Sequence, residues 1–135
     1  MTADPWVKTA LRSAYRTALG LHERLSAASS GNDSAIRVFY GGARGGTAGG
    51  TRVKISRLCE EFPERLWDYT LVYLLSNAPY LSPVALQRLK ARGIPMVVNQ
   101  DGVFYPGWFG GDWRAENERM AALHHLGDHV FYQSE

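Results

Sequence analysis

Ile36-Arg37-Val38-Phe39-Tyr40-Gly41-Gly42-Ala43-Arg44-Gly45-Gly46-Thr47-Ala48-Gly49-Gly50-Thr51 is the stretch on which the fold turns. Apart from Arg37, its first five residues are β-branched or aromatic, which predicts a strand, and that strand runs straight into three glycine pairs. Thr51 then offers a helix cap. Ile55, Leu58, Cys59 and Phe62 follow at i, i+3, i+4 and i+7 until Pro63 ends the helix. A strand, a glycine-rich loop and a helix in immediate succession open an α/β domain.

The alternation continues downstream. Tyr69 to Leu75 is a continuous apolar run of buried-strand type. Ser82-Pro83 caps a helix through Leu86 and Leu89, with Arg88, Lys90 and Arg92 at its end before Gly93. Ile94 to Asn99 is the next strand. Asp112 caps a helix carrying Met120, Leu123 and Leu126 and closed by Gly127, and His129 to Gln133 is the last strand. The expected fold is α/β: a three-layer Rossmann-like domain with a small parallel sheet of about four strands. Upstream, Asp4 and Pro5 start an amphipathic helix whose Val7, Leu11, Ala14, Ala18, Leu21 and Leu25 share one apolar face. The polar stretch Ser26 to Ser34 follows it, so residues 1–35 read as helix and linker and residues 36–135 as the domain proper. That helix is free to dock on the sheet, to pair between subunits, or to make peripheral membrane contact through Lys8, Arg12, Arg16 and Arg24.

Composition bounds the function. A chain of 135 residues holds one core and excludes a complete two-domain enzyme. Its 45% hydrophobic and 21% charged residues are those of a globular protein, and a net charge of +2 is too small to predict nucleic-acid binding. Cys59 is the single cysteine, which excludes an internal disulfide; with no basic-then-apolar signal at Met1 to Lys8, the expected location is cytoplasmic. Cys59 also falls on the core face of its helix, where burial outweighs reactivity.

In a parallel sheet, ligands sit beyond the carboxyl ends of the strands, which directs attention to Gly41–Gly50, Ser76–Tyr80, Gln100–Gly111 and the residues after Gln133. The glycine pairs contain no G-x-G-x-x-G, and Thr51-Arg52 stands where a Walker loop needs Lys-Ser or Lys-Thr, so no dinucleotide or NTP cofactor is expected. The glycines are equally compatible with phosphate or sugar contact and with a flexible loop. Asn99-Gln100-Asp101-Gly102 places a carboxylate and amides at a strand end, where they suit hydroxyl groups or proton transfer; Asp-Gly is also ordinary turn chemistry. Phe104 to Trp113 is an aromatic loop, either a stacking platform or a lid folded on its own domain. Ser76-Asn77 and Ser134-Glu135 read either as ligand contacts or as caps, and neither serine lies in a G-x-S-x-G elbow. His124, His125 and His129 bracket Gly127, which breaks an i, i+4 metal pair, so no metal site is expected.

Phe39-Tyr40-Gly41-Gly42 leading to Gly49-Gly50, Leu75-Ser76-Asn77, Gly93 to Gly102 and Asp128 to Glu135 together resemble the N-terminal domain of family 4 glycosyltransferases over about residues 36–135. The resemblance implies a GT-B architecture, with two Rossmann-like domains facing across a cleft, of which this chain is the acceptor-side one, truncated at its C-terminus. It implies a retaining transferase acting on a nucleotide-sugar donor and a glycan or other hydroxyl acceptor. The acidic E-x7-E motif belongs to the missing domain, so the isolated chain is not expected to turn over without a C-terminal-domain subunit. By the same resemblance Gly49 and Gly50 lie near donor phosphate, and Asp101 stands where the family has a histidine at the reaction centre. Asn77, Asn99, Gln100, Gly102 and Ser134 complete the substrate-binding set, and Trp108 or Phe109 stacks on the acceptor. The competing expectation is a non-catalytic binding or interaction module that keeps the fold.

Overall fold

In the computed structural model, residues 4–26, 34–78 and 80–132 are described. They form α1 (Pro5–Leu25), β1 (Val38–Phe39), α2 (Gly50–Glu61), β2 (Leu71–Leu75), α3 (Pro83–Ala91), β3 (Met96–Gln100), α4 (Trp113–Leu126) and β4 (His129–Tyr132). All neighbouring strands pair in parallel, in the order β1-β2-β3-β4. The four-stranded α/β domain with its N-terminal helix is therefore as the sequence predicts, and the residues after Tyr132 lie outside the described ones. The caps of the last two helices are also as read: Ser82 Oγ accepts from the Ala85 amide at 3.2 Å, and Asp112 Oδ1 from Ala115 at 3.1 Å. The start of α2 differs. Thr51 is its second residue, and the cap position belongs to Gly49 at φ +83°, a left-handed conformation that glycine adopts without strain.

Alternation along the strands sends side chains to two separate cores. On one face Phe39, Val72, Leu74, Met96 and Val98 pack against Leu86 and Leu89 of α3, Leu123 of α4 and Leu19 of α1. On the other, Val38, Tyr40 and Leu75 pack against Ile55 of α2. Three layers result, with α2 alone on its side among the described helices. The switch is made after α2, where Glu64 forms a parallel bridge to Val38 and the Arg65 amide donates to the Val38 carbonyl at 2.8 Å. Val38 pairs with β2 through Leu71, so Glu64 lies along the outer side of β1. The chain then crosses to the opposite side of β1 to begin β2, and α3 and α4 cover the other face. The helix layers change faces between β1 and β2, which makes the carboxyl ends of those two strands the topological switch point, where open α/β sheets bind ligands.

α1 docks by a different face from the one its pattern predicts. Leu11, Leu21 and Leu25 are exposed, Leu25 to 74%, whereas Leu19 is 8% exposed and Glu23 is buried. Three contacts choose the side. Tyr15 donates its hydroxyl to the Gly42 carbonyl at 2.7 Å, and Leu19 lies where a Gly42 side chain would be. Glu23 meets Arg88 and Arg92 from below. We expect Leu19→Ala to destabilise by about 3 kcal/mol and Leu25→Ala by under about 0.5 kcal/mol, read as urea midpoints; similar losses would place the helix differently.

His124 on α4 predicts a pH dependence. Burial, and then the neighbouring His125, hold its imidazole below the ordinary 6.5. The unfolded chain therefore takes up this proton first, and stability falls as pH drops through 6.5. His124→Gln should flatten the fall in Tm between pH 7.5 and 5.5; an unchanged slope would exclude the effect.

Candidate functional site

The three glycine pairs after β1 have three different surroundings. Gly41 and Gly42 are buried at positive φ under Leu74 and Leu19, so their lack of a side chain serves packing. The middle pair folds back on α2: the Gly46 amide donates to Ser56 Oγ at 2.8 Å, and Arg52 Nη2 reaches the Gly45 carbonyl at 3.4 Å. Only Gly49 and Gly50 face open space, with nothing within 4 Å of the position a Cβ would take. They sit at the amino end of α2, where unpaired backbone N–H groups and the helix dipole favour an anion. With Lys54 and Arg57 they line a shallow recess of about 580 Å³.

At the end of β3, Asp101 is held from three sides. Lys54 Nζ donates to its Oδ1 at 2.7 Å, Asn99 Nδ2 donates to the same oxygen at 2.6 Å, and its amide donates to Ser76 Oγ at 2.9 Å. The carboxylate is 4% exposed and the Lys54 side chain 28%. Lys54 thus ties α2, on one face of the sheet, to the loop after β3, with Ser76 at the end of β2 between them. Tyr73 feels the same charge: burial first, then Asp101, raises its phenol above the usual value. Asn77 follows Ser76, and its Oδ1 is buried without a hydrogen-bond partner among the described residues.

The structure brings Asp101, Asn99 and Ser76 into one network, with Gly49 and Gly50 one helical turn from its Lys54. It does not bring in the rest. Gln100 turns the other way, donating to the Gly102 carbonyl at 2.9 Å and lying 4.0 Å from Met120 Sδ of α4. Gly102, at φ +147°, serves that turn. Trp108 is 56% exposed and stacks within its own loop, 5.1 Å from Phe104 and 6.1 Å from Phe109 between ring centroids. Asn117 of α4 clamps this loop through both backbone groups of Phe104, each at 2.9 Å, so the aromatics form a lid packed on α4. Ser134 lies outside the described residues. The Cys59 thiol is half-buried, and burial raises its pKa.

Lys54 is the residue that sequence reasoning missed. Its only signal is position: four residues before Leu58, at the border of the buried face, one turn beyond the open glycine pair. No helix among the described residues is long and apolar enough to cross a membrane. Compared with known proteins, the chain matches no family model, no curated protein and no solved structure.

Proposed function

We propose that this chain is the acceptor-side half of a retaining glycosyltransferase that uses a nucleotide-sugar donor and needs a second, donor-binding domain or subunit for turnover. The observation that carries the reading is the single open glycine pair, Gly49-Gly50, at the amino end of α2 beside Lys54, at the switch point of a doubly wound sheet. Backbone N–H groups and an ammonium together suit the charge that develops on a departing diphosphate. In this reading Asp101 and Asn99 hold Lys54 in place, Asn77 meets acceptor hydroxyls, and the chain works in the cytoplasm, with Cys59 unpaired.

The test is to translate the DNA beyond codon 135 in all frames, co-express the product with this chain, and follow nucleoside diphosphate release from a panel of nucleotide-sugars. Release that needs both polypeptides and falls at least about a hundredfold in Gly50→Val supports the reading. Release unaffected by Gly50→Val, or no second domain able to hold a donor, defeats it. A non-catalytic interaction module is favoured by one observation, the exposed Leu11, Leu21 and Leu25 of α1; partner binding without release would select it.

A further inference from the structure

On the sheet face opposite α2, a groove of about 1150 Å³ runs between α1, α3 and the start of α4. Its walls carry six cationic side chains, Lys8, Arg12, Arg16, Arg24, Arg88 and Arg119, against two carboxylates, Asp112 and Glu116. The imbalance survives pairing. Arg88 is taken by Glu23 at 2.6 Å, and Asp112 caps α4. Glu116 receives both oxygens' worth of hydrogen bonds from Arg16, at 3.0 and 2.7 Å, with Arg12 only 3.8 Å away. Arg119 forms no ion pair within 4 Å among the described residues.

The donors are oversupplied as well. The Nε groups of Arg12 and Arg16 are buried without an acceptor among the described residues. Burial, then Arg16, lowers the Arg119 pKa, with Glu116 opposing and Arg12 adding; the guanidinium lies among like charges in a half-enclosed space. Two or more uncompensated guanidiniums with planar donor forks match a dianionic oxyanion better than a single carboxylate. Beside them, Leu21, Val84 and Phe109 give the groove an apolar wall, and the Arg12 guanidinium lies over Phe109, 5.5 Å from the ring centroid.

We infer that the groove between α1, α3 and α4 is a second binding site, for a phosphate monoester with an apolar body, held by Arg12, Arg16 and Arg119. The site is independent of the glycine recess, since the two lie on opposite faces of the sheet. A soluble phosphate ester and a lipid phosphate share this chemistry.

The test titrates the whole chain with phenyl phosphate, inorganic phosphate and benzoate, following backbone amides by NMR, and floats it with phosphatidic acid vesicles. We expect phenyl phosphate to shift amides of α1 and the start of α4, to bind more tightly than either inorganic phosphate or benzoate, and to lose about tenfold in affinity in Arg119→Gln. Arg12→Gln should weaken it likewise, while Arg52→Gln, on α2, should leave it unchanged. Circular dichroism checks that each variant is folded. Flotation abolished by Arg119→Gln would assign the lipid source, and soluble binding without flotation the ester. Absence of binding at about 10 mM, shifts confined to Gly49, Gly50 and Lys54, or equal affinity in wild type and Arg119→Gln would overturn the proposal. Failure of nucleotide-sugar turnover would leave it standing.

Discussion

Glu23→Ala is expected to destabilise the protein by about 3–5 kcal/mol, a large part of the stability of a domain of this size. Glu23 is fully buried at the end of α1. Its Oε2 accepts from Arg88 Nε at 2.8 Å and lies 2.6 Å from Arg88 Nη2, while Arg92 Nη1 is 3.5 Å from Oε1. Arg92 also donates to the Glu23 and Ser26 carbonyls, at 3.1 and 3.2 Å, closing the last turn of α1 onto α3. Removing the carboxylate leaves two guanidiniums facing each other and a void beneath the helix. Each arginine side chain is about a third exposed and able to turn toward water, which favours the lower end of the range. Glu23→Gln keeps the shape and loses the charge, and should cost about 1–2 kcal/mol. Urea midpoints at pH 7 measure both; a loss under about 1 kcal/mol for the alanine variant would mean that the Glu23 ion pairs do not hold α1 in place.

The second large effect is at the candidate site, and it is asymmetric. Lys54→Met removes the ammonium 2.7 Å from a carboxylate that is 4% exposed, and should destabilise by about 3 kcal/mol. Asp101→Asn leaves a lysine that already reaches solvent, with an amide able to accept from Asn99, and should cost about 1 kcal/mol. The double variant should lose less than the sum of the singles, because the two changes remove one interaction. Thermal unfolding of the four proteins gives the coupling directly. If the losses simply add, the pair does not tie α2 to β3 in solution, and the role given to Lys54 fails with it.

Much of the local structure was legible. Ser82 before Pro83, Asp112 before Trp113 and the apolar run from Tyr69 to Leu75, of which Leu71–Leu75 forms β2, act through near neighbours, so they can be read from the chain. The functional loops were only half legible. Asp101 and Asn99 stand two residues apart and meet as their order suggests. Gln100 between them points to the other face of the strand, toward Met120, as alternation requires. The aromatic loop reads equally as platform or lid, and the clasp that fixes it to α4 comes from Asn117, thirteen residues beyond Phe104, while Trp108 stays exposed.

By itself, the sequence determined the order of strands and helices, the parallel α/β class and the strand ends on which ligands are sought, because these follow from periodicity, caps and breakers within a few residues. Tertiary structure decided which face of α1 is buried, which glycine pair is open and which cation meets Asp101. The physical reason is the same in each case. A stripe of Val7, Leu11, Ala14, Ala18, Leu21 and Leu25 says that a helix is two-sided, but Gly42 and the Arg88–Arg92 pair select the opposing side. Glycines at 41, 45 and 49 look alike until Leu74 or Ser56 fills the space beside two of them. Lys54 finds Asp101 across 47 residues because parallel pairing sets the end of β3 near α2, a relation that no local pattern encodes.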